Sequence, residues 1–143
     1  MAGLLSPLSL MEFIIDNIWL VGLVLFSGAC LLWLSLEGRG VSITQVQATQ
    51  MINQDKAIVL DIRPASEFSQ GHMPGAINIP LPDMPLKIGQ LNKYQSKSII
   101  VVCASGNQSR KARAQLKKVG FNEVFVLNGG IAEWQSQGLP TTK

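Results

Sequence analysis

With 143 residues, the chain has room for one compact domain and a small appendage. It is 47% hydrophobic and 15% charged, where ordinary soluble domains carry about 25% charged residues, so part of it is built for apolar surroundings. Its two cysteines, Cys30 and Cys103, exclude a disulfide scaffold and point to a reducing compartment.

The charge is unevenly divided. Glu12, Asp16 and Glu37 stand against Arg39 alone, a net of −2 for residues 1–39, so the +3 of the whole chain leaves +5 for residues 40–143. Within the first part, Ile18 to Leu36 reads IWLVGLVLFSGACLLWLSL, 19 residues without a charge. A helix of that length spans roughly 29 Å, the hydrocarbon thickness of a bilayer. Trp19 and Trp33 sit near its ends, where amphipathic rings prefer the headgroup level. A cleaved signal peptide would carry a basic n-region and a shorter apolar core; residues 1–17 hold no Lys or Arg, and contain Glu12 and Asp16. One transmembrane helix over residues 18–36 is therefore expected, after an extramembrane segment, 1–17. Cys30 is a small apolar residue within that run. Arg39 follows directly, with Lys56 and Arg63 beyond, so the positive-inside rule predicts a single-pass protein of a bacterial inner membrane or its equivalent, its C-terminal domain cytoplasmic. Gly38-Arg39-Gly40 reads as a helix break within a short linker, 37–40, and the domain as 41–143.

In that domain short apolar runs alternate with helical stretches. Val41 to Ile43 is a short strand candidate. Thr44 is the expected N-cap of a helix through about Asn53. Ala57 to Leu60, Ile99 to Val102 and Val124 to Leu127 are continuous runs rich in β-branched residues, as in parallel strands buried on both faces. Ala76 to Ile79 is another short strand. Pro80, Pro82 and Pro85 mark an irregular connection before Lys87 to Leu91. Ser109 to Val119 places Ala112, Leu116 and Val119 on one helix face and basic residues on the other; Ile131 to Gln137 is a short terminal helix. The alternation predicts an α/β fold, a mostly parallel sheet flanked by helices on both faces, preceded by one transmembrane helix.

The stretch IIVVCASGNQSRKARAQL holds the candidate chemistry. A buried strand ends at Cys103, a loop of small and turn-forming residues follows (Ala104, Ser105, Gly106, Asn107, Gln108), and a helix starts near Ser109. Ligands of open α/β sheets bind at the carboxyl ends of strands. Backbone N–H groups turned inward there, with the positive helix end beyond, form an anion-binding nest. A thiol at its centre is expected to have a lowered pKa, and the thiolate is the reactive form.

Three blocks resemble the rhodanese family of single-domain sulfurtransferases. The first is Asp61-Ile62-Arg63, then Glu67-Phe68, then Gly71-His72-Met73-Pro74-Gly75-Ala76-Ile77-Asn78-Ile79-Pro80. The second is the loop from Cys103 to Gln108, and the third Gly129-Gly130, Trp134, Gly138 and Pro140. Together they span about residues 41–141. The resemblance implies that Cys103 accepts sulfane sulfur from thiosulfate or a persulfide and hands it to a thiophilic acceptor, with the backbone of Ala104 to Ser109 as cradle. It implies no cofactor and no metal. Arg110 opens the following helix, where it can attract an anionic donor. Asp61 and Arg63 are candidate supporting groups, Arg63 expected to pair with Glu67. His72 reads as a turn-fixing residue; Trp134 and Phe121 read as core. The expected partners are a small anionic donor or a protein persulfide, the membrane through residues 18–36, an unidentified membrane protein, and no nucleic acid.

Two other functions compete. Related phosphatases share the fold but need an arginine six positions after the cysteine; here Ser109 stands there and Arg110 comes one later. A non-catalytic, membrane-tethered interaction module is the second. Ala104 and Ser105 supply no cation to grip thiosulfate, which favours a protein donor if the site is active.

Overall fold

The computed structural model describes residues 7–39 and 42–143, and only the backbone of 35–39. Gly40 of the expected linker, Val41 of the first expected strand and residues 1–6 lie outside these. The described chain forms two compact units that part between Gly40 and Val41.

The first unit is a helix pair, α1 (Pro7–Asp16) and α2 (Ile18–Arg39). α2 continues through Gly38 and Arg39, which the sequence marks as linker. Among the described residues no single helix is long and apolar enough to cross a membrane; α1 together with residues 18–34 of α2 is, as a pair bent by 84°. In this unit side chains are described as far as Leu34, so those of Ser35 and Leu36 in the expected span 18–36 lie outside the described residues. Within α2 the large apolar residues face outward, Trp19 88% and Phe26 77% exposed.

The second unit is an α/β domain. Its parallel sheet has the order β1-β5-β4-β2-β3, with β1 Ser42–Ile43, β2 Ala57–Asp61, β3 Ile77–Asn78, β4 Ser98–Val102 and β5 Val124–Leu127. β4 lies at the centre and every residue of it is buried, which explains its unbroken apolar run. The alternation of a strand divides its side chains between two cores. Ile99, Val101 and Cys103 pack with Leu60, Met84, Ala112, Leu116 and Phe121 on one face. Ile100 and Val102 pack with Ala48, Val59, Leu127, Ile131 and Trp134 on the other. Helices therefore cover both faces.

The helices are α3 (Gln45–Asn53), α4 (Ala65–Phe68), α5 (Met84–Lys87), α6 (Ser109–Lys118) and α7 (Gly130–Ser136). Thr44 caps α3 in a reciprocal box: its Oγ1 accepts from the Gln47 N–H at 3.3 Å, and its own N–H donates to Gln47 Oε1 at 3.0 Å. The proline-rich connection is a 3-10 turn (Leu81–Asp83) running into α5 and a second 3-10 segment (Ile88–Tyr94). In α6, Ala112 and Leu116 are buried as expected, but Val119 falls on the C-cap and is 45% exposed.

Candidate active site

Cys103 follows β4 directly. Counting by twos from Ile99 turns its side chain to the α6 face of the sheet, and it is only 2% exposed. The loop then folds back over the thiol: the Gly106 N–H donates to Cys103 Sγ at 2.8 Å. Gly106 has φ +92°, a conformation open to glycine and strained for residues with a Cβ. Ser109, the first residue of α6, is fully buried and its hydroxyl has no hydrogen-bond partner.

A second glycine fixes the loop from below. Gly130 has φ +60°, and a Cβ there would overlap the carbonyl oxygens of Cys103 and Ala104. This close approach lets the first turn of α7 reach the loop. The Ile131 N–H donates to the Cys103 carbonyl at 2.9 Å and the Ala132 N–H to that of Ala104 at 3.2 Å. The free donors of a helix start thus hold the backbone that carries the thiol. Trp134, buried in the second core, donates through Nε1 to the Pro140 carbonyl at 2.9 Å, which accounts for the spacing of the third sequence block.

Above the thiol opens a cleft of about 680 Å3. Cys103, Ala104, Ser105, Asn107 and Gln108 line one side of it. The other walls come from two stretches distant in sequence: Ile62 to Ala65 with Glu67, and Pro80 to Asp83. Arg110 does not line the cleft; it is exposed on α6. Gly106 and Ser109 do not line it. The walls from Pro80 to Asp83 carry no chemical motif, so only the crossover from β3 reveals them.

Arg63 does not pair with Glu67. Its guanidinium is forked onto Asp61, Nη2 to Oδ2 at 2.7 Å and Nε to Oδ1 at 3.0 Å, and Nη2 also donates to the Gly71 carbonyl at 2.9 Å. The reason is burial. Asp61 is 1% exposed at the end of β2, and a buried carboxylate left without a partner is costly, whereas Glu67 on α4 is exposed and can remain in water. Asn78 ties the same corner, donating to the carbonyls of Asp61 and Arg63. Asp61, Arg63, Gly71 and Asn78 thus form one brace beneath the cleft, and Arg63 also contributes to its wall.

His72 is likewise structural. Its ring stacks on Phe68, Nδ1 lies 2.9 Å from the Phe68 carbonyl, and its backbone bridges to Thr142 in both directions. It does not line the cleft. Among the described residues no three His, Cys, Asp or Glu side chains gather to hold a metal ion.

Comparison with known proteins decides the family: the model for the rhodanese-like domain matches residues 44–137. The chain belongs to the rhodanese-like family. Within that family it is 38% identical over 110 residues to YibN of Escherichia coli K12, a protein described as uncharacterized, covering 76% of this chain and 77% of that one. It is 41% identical over 92 residues to thiosulfate sulfurtransferase 16, chloroplastic, of Arabidopsis thaliana, covering 57% of this chain and 77% of the relative. The crystal structure of a rhodanese-related protein from Thermoplasma volcanium superposes with a TM-score of 0.65 at 31% identity, over 71% of this chain and 97% of that one.

Proposed function

We propose that the chain is a sulfurtransferase that carries sulfane sulfur as a persulfide on Cys103. The observation that carries this reading is the thiol itself: a sulfur at a strand end, facing a cleft, with the Gly106 N–H 2.8 Å from it. An N–H donor aimed at this point can stabilise the negative charge of a terminal persulfide sulfur. In the first half-reaction the Cys103 thiolate attacks the outer sulfur of the donor. An S–S bond forms on Cys103 as the donor's S–S bond breaks, and sulfite leaves from thiosulfate, or a thiolate from a persulfide. In the second, a thiophilic acceptor attacks the terminal sulfur and the Cys103 thiolate departs. Neither step needs a redox cofactor or a general base, which agrees with His72 standing outside the cleft. In this reading the remaining amides from Ala104 to Ser109 join Gly106 around the bound sulfur.

The phosphatase reading loses support from Arg110, which is exposed on α6 and does not line the cleft. We also propose that the N-terminal unit holds the protein in a membrane, with the catalytic domain on the cytoplasmic side. The outward-facing apolar side chains of α2 support this, as does the position of the basic residues after it. Steady-state kinetics tests the chemistry. Varying donor and acceptor together should give the parallel reciprocal plots of a ping-pong cycle, and Cys103→Ser should abolish turnover. Intersecting plots, or turnover in Cys103→Ser, would remove the covalent intermediate.

A further inference from the structure

The pairing of Arg63 with Asp61 has an electrostatic consequence for the cleft. Its wall carries three charged side chains, Arg63, Glu67 and Asp83. The Arg63 guanidinium is spent on Asp61 and on the Gly71 carbonyl, with 7% of its side chain exposed. Asp83 is offset by Lys87, at 2.9 Å one helical turn away. Glu67 is exposed, and its carboxylate has no hydrogen-bond or ion-pair partner among the described residues. The loop adds no cation, since Ala104, Ser105, Asn107 and Gln108 are all uncharged. The uncompensated charge of the cleft is therefore one carboxylate, on the wall facing the thiol loop.

We propose that Glu67 is a specificity-determining residue: its carboxylate disfavours dianionic donors such as thiosulfate and selects persulfides carried on neutral or cationic thiols, including a basic segment of a protein. The inference rests on the sulfurtransferase reading of Cys103. A dianion approaching Cys103 meets the field of Glu67 across an open, solvated cleft, where a charge is largely screened beyond about 10 Å at ordinary ionic strength. A persulfide on an uncharged carrier brings at most one negative charge, on its terminal sulfur, and meets a smaller penalty than a dianion. The Cys103 thiolate attacks that terminal sulfur, the S–S bond to the carrier breaks, and the persulfide's proton, where present, ends on the departing carrier thiol. A cationic carrier is attracted by the same carboxylate.

The test compares three donors on the full-length chain in detergent: thiosulfate, the persulfide of 2-mercaptoethanol, which has an uncharged body, and the persulfide of cysteamine, which carries an ammonium group. For Glu67→Gln, the ratio of kcat/KM for thiosulfate to that for the uncharged persulfide should rise about 3- to 10-fold, chiefly through KM. The ratio for the cysteamine persulfide should fall, and both changes should shrink as salt is added. Glu67→Asp, which keeps the charge, should keep the selectivity of the parent within about 2-fold, and Asp83→Asn should shift it less than Glu67→Gln because Lys87 already offsets that carboxylate. Ratios that stay the same in Glu67→Gln, or move equally for all donors, overturn the proposal while leaving a working Cys103. Failure of the parent to take sulfur from the uncharged persulfide overturns the sulfurtransferase reading itself.

Discussion

Gly130→Ala is the most discriminating perturbation of the loop. Gly130 is buried at the start of α7 with φ +60°, and an added Cβ would overlap the carbonyl oxygens of Cys103 and Ala104. An alanine in the left-handed region costs about 1–2 kcal/mol. To relieve the overlap, loop and helix must separate, weakening the hydrogen bonds from Ile131 to Cys103 and from Ala132 to Ala104, each worth about 1 kcal/mol. Together these come to about 3–4 kcal/mol, or a fall in Tm of about 12–30 °C for a domain of this size. Gly75 is the control. It has φ +72°, but nothing lies within 4 Å of a Cβ built there, so Gly75→Ala bears only the backbone penalty and should lose about 4–16 °C. Thermal unfolding of both variants, followed by circular dichroism, measures the difference. Equal losses in the two would refute the close contact between α7 and the loop.

Other expectations follow from the same geometry. Arg63→Met leaves the Asp61 carboxylate buried and unpaired and should destabilise the domain by about 3–5 kcal/mol in denaturant unfolding; Asp61→Asn combined with Arg63→Met should cost less than the two single losses summed. Trp134→Ala empties part of the second core and should cost about 3–5 kcal/mol by the same assay. His72→Ala, if it folds, should still take up sulfur on Cys103, since the ring lies outside the cleft; loss of uptake in a folded variant would assign it a chemical role. Cells making the full chain should retain it in membranes through carbonate extraction, and protease outside intact cells should spare the C-terminal domain; a soluble chain, or a domain digested from outside, would refute the anchor or its orientation.

The central strands were legible because burial on both faces turns β2, β4 and β5 into unbroken apolar runs, and because the run through β4 ends on Cys103. β1 and β3 pair over only two residues each, too few to show a period. The reactive cysteine, its loop and the capping of α3 all rest on contacts within a few residues, which sequence can display. The partner of Arg63 was not legible: Asp61 and Glu67 are both near it in sequence, and only the burial of Asp61 chooses between them. The available signal was the spacing of two between Asp61, the last residue of β2, and Arg63 just beyond it, which puts both side chains on one side of an extended chain. Gly129-Gly130 stood out as a motif, but its task, letting α7 approach the residues from Cys103 to Ala104, depends on a contact across more than twenty residues of chain. The cleft wall from Pro80 to Asp83 is likewise remote in the chain, and the order of the sheet brings it to Cys103. The run from Ile18 lies within the single helix α2; what was not legible is α1, since residues 1–17 read only as an extramembrane segment, and the break at Asn17 sets α1 at a steep angle to α2.

The most direct measurement is the intact mass of the full-length chain after exposure to a persulfide donor and removal of excess reagent. The parent protein should gain ~32 Da, one sulfur atom, in the form of a persulfide, and peptide mapping should place it on Cys103. Cys30→Ser should gain the same mass and Cys103→Ser none, and adding cyanide should return the loaded protein to its starting mass. Sulfur found on Cys30 alone, or a parent protein that gains nothing from any donor, would contradict sulfur transfer through Cys103 and leave the domain a binding module.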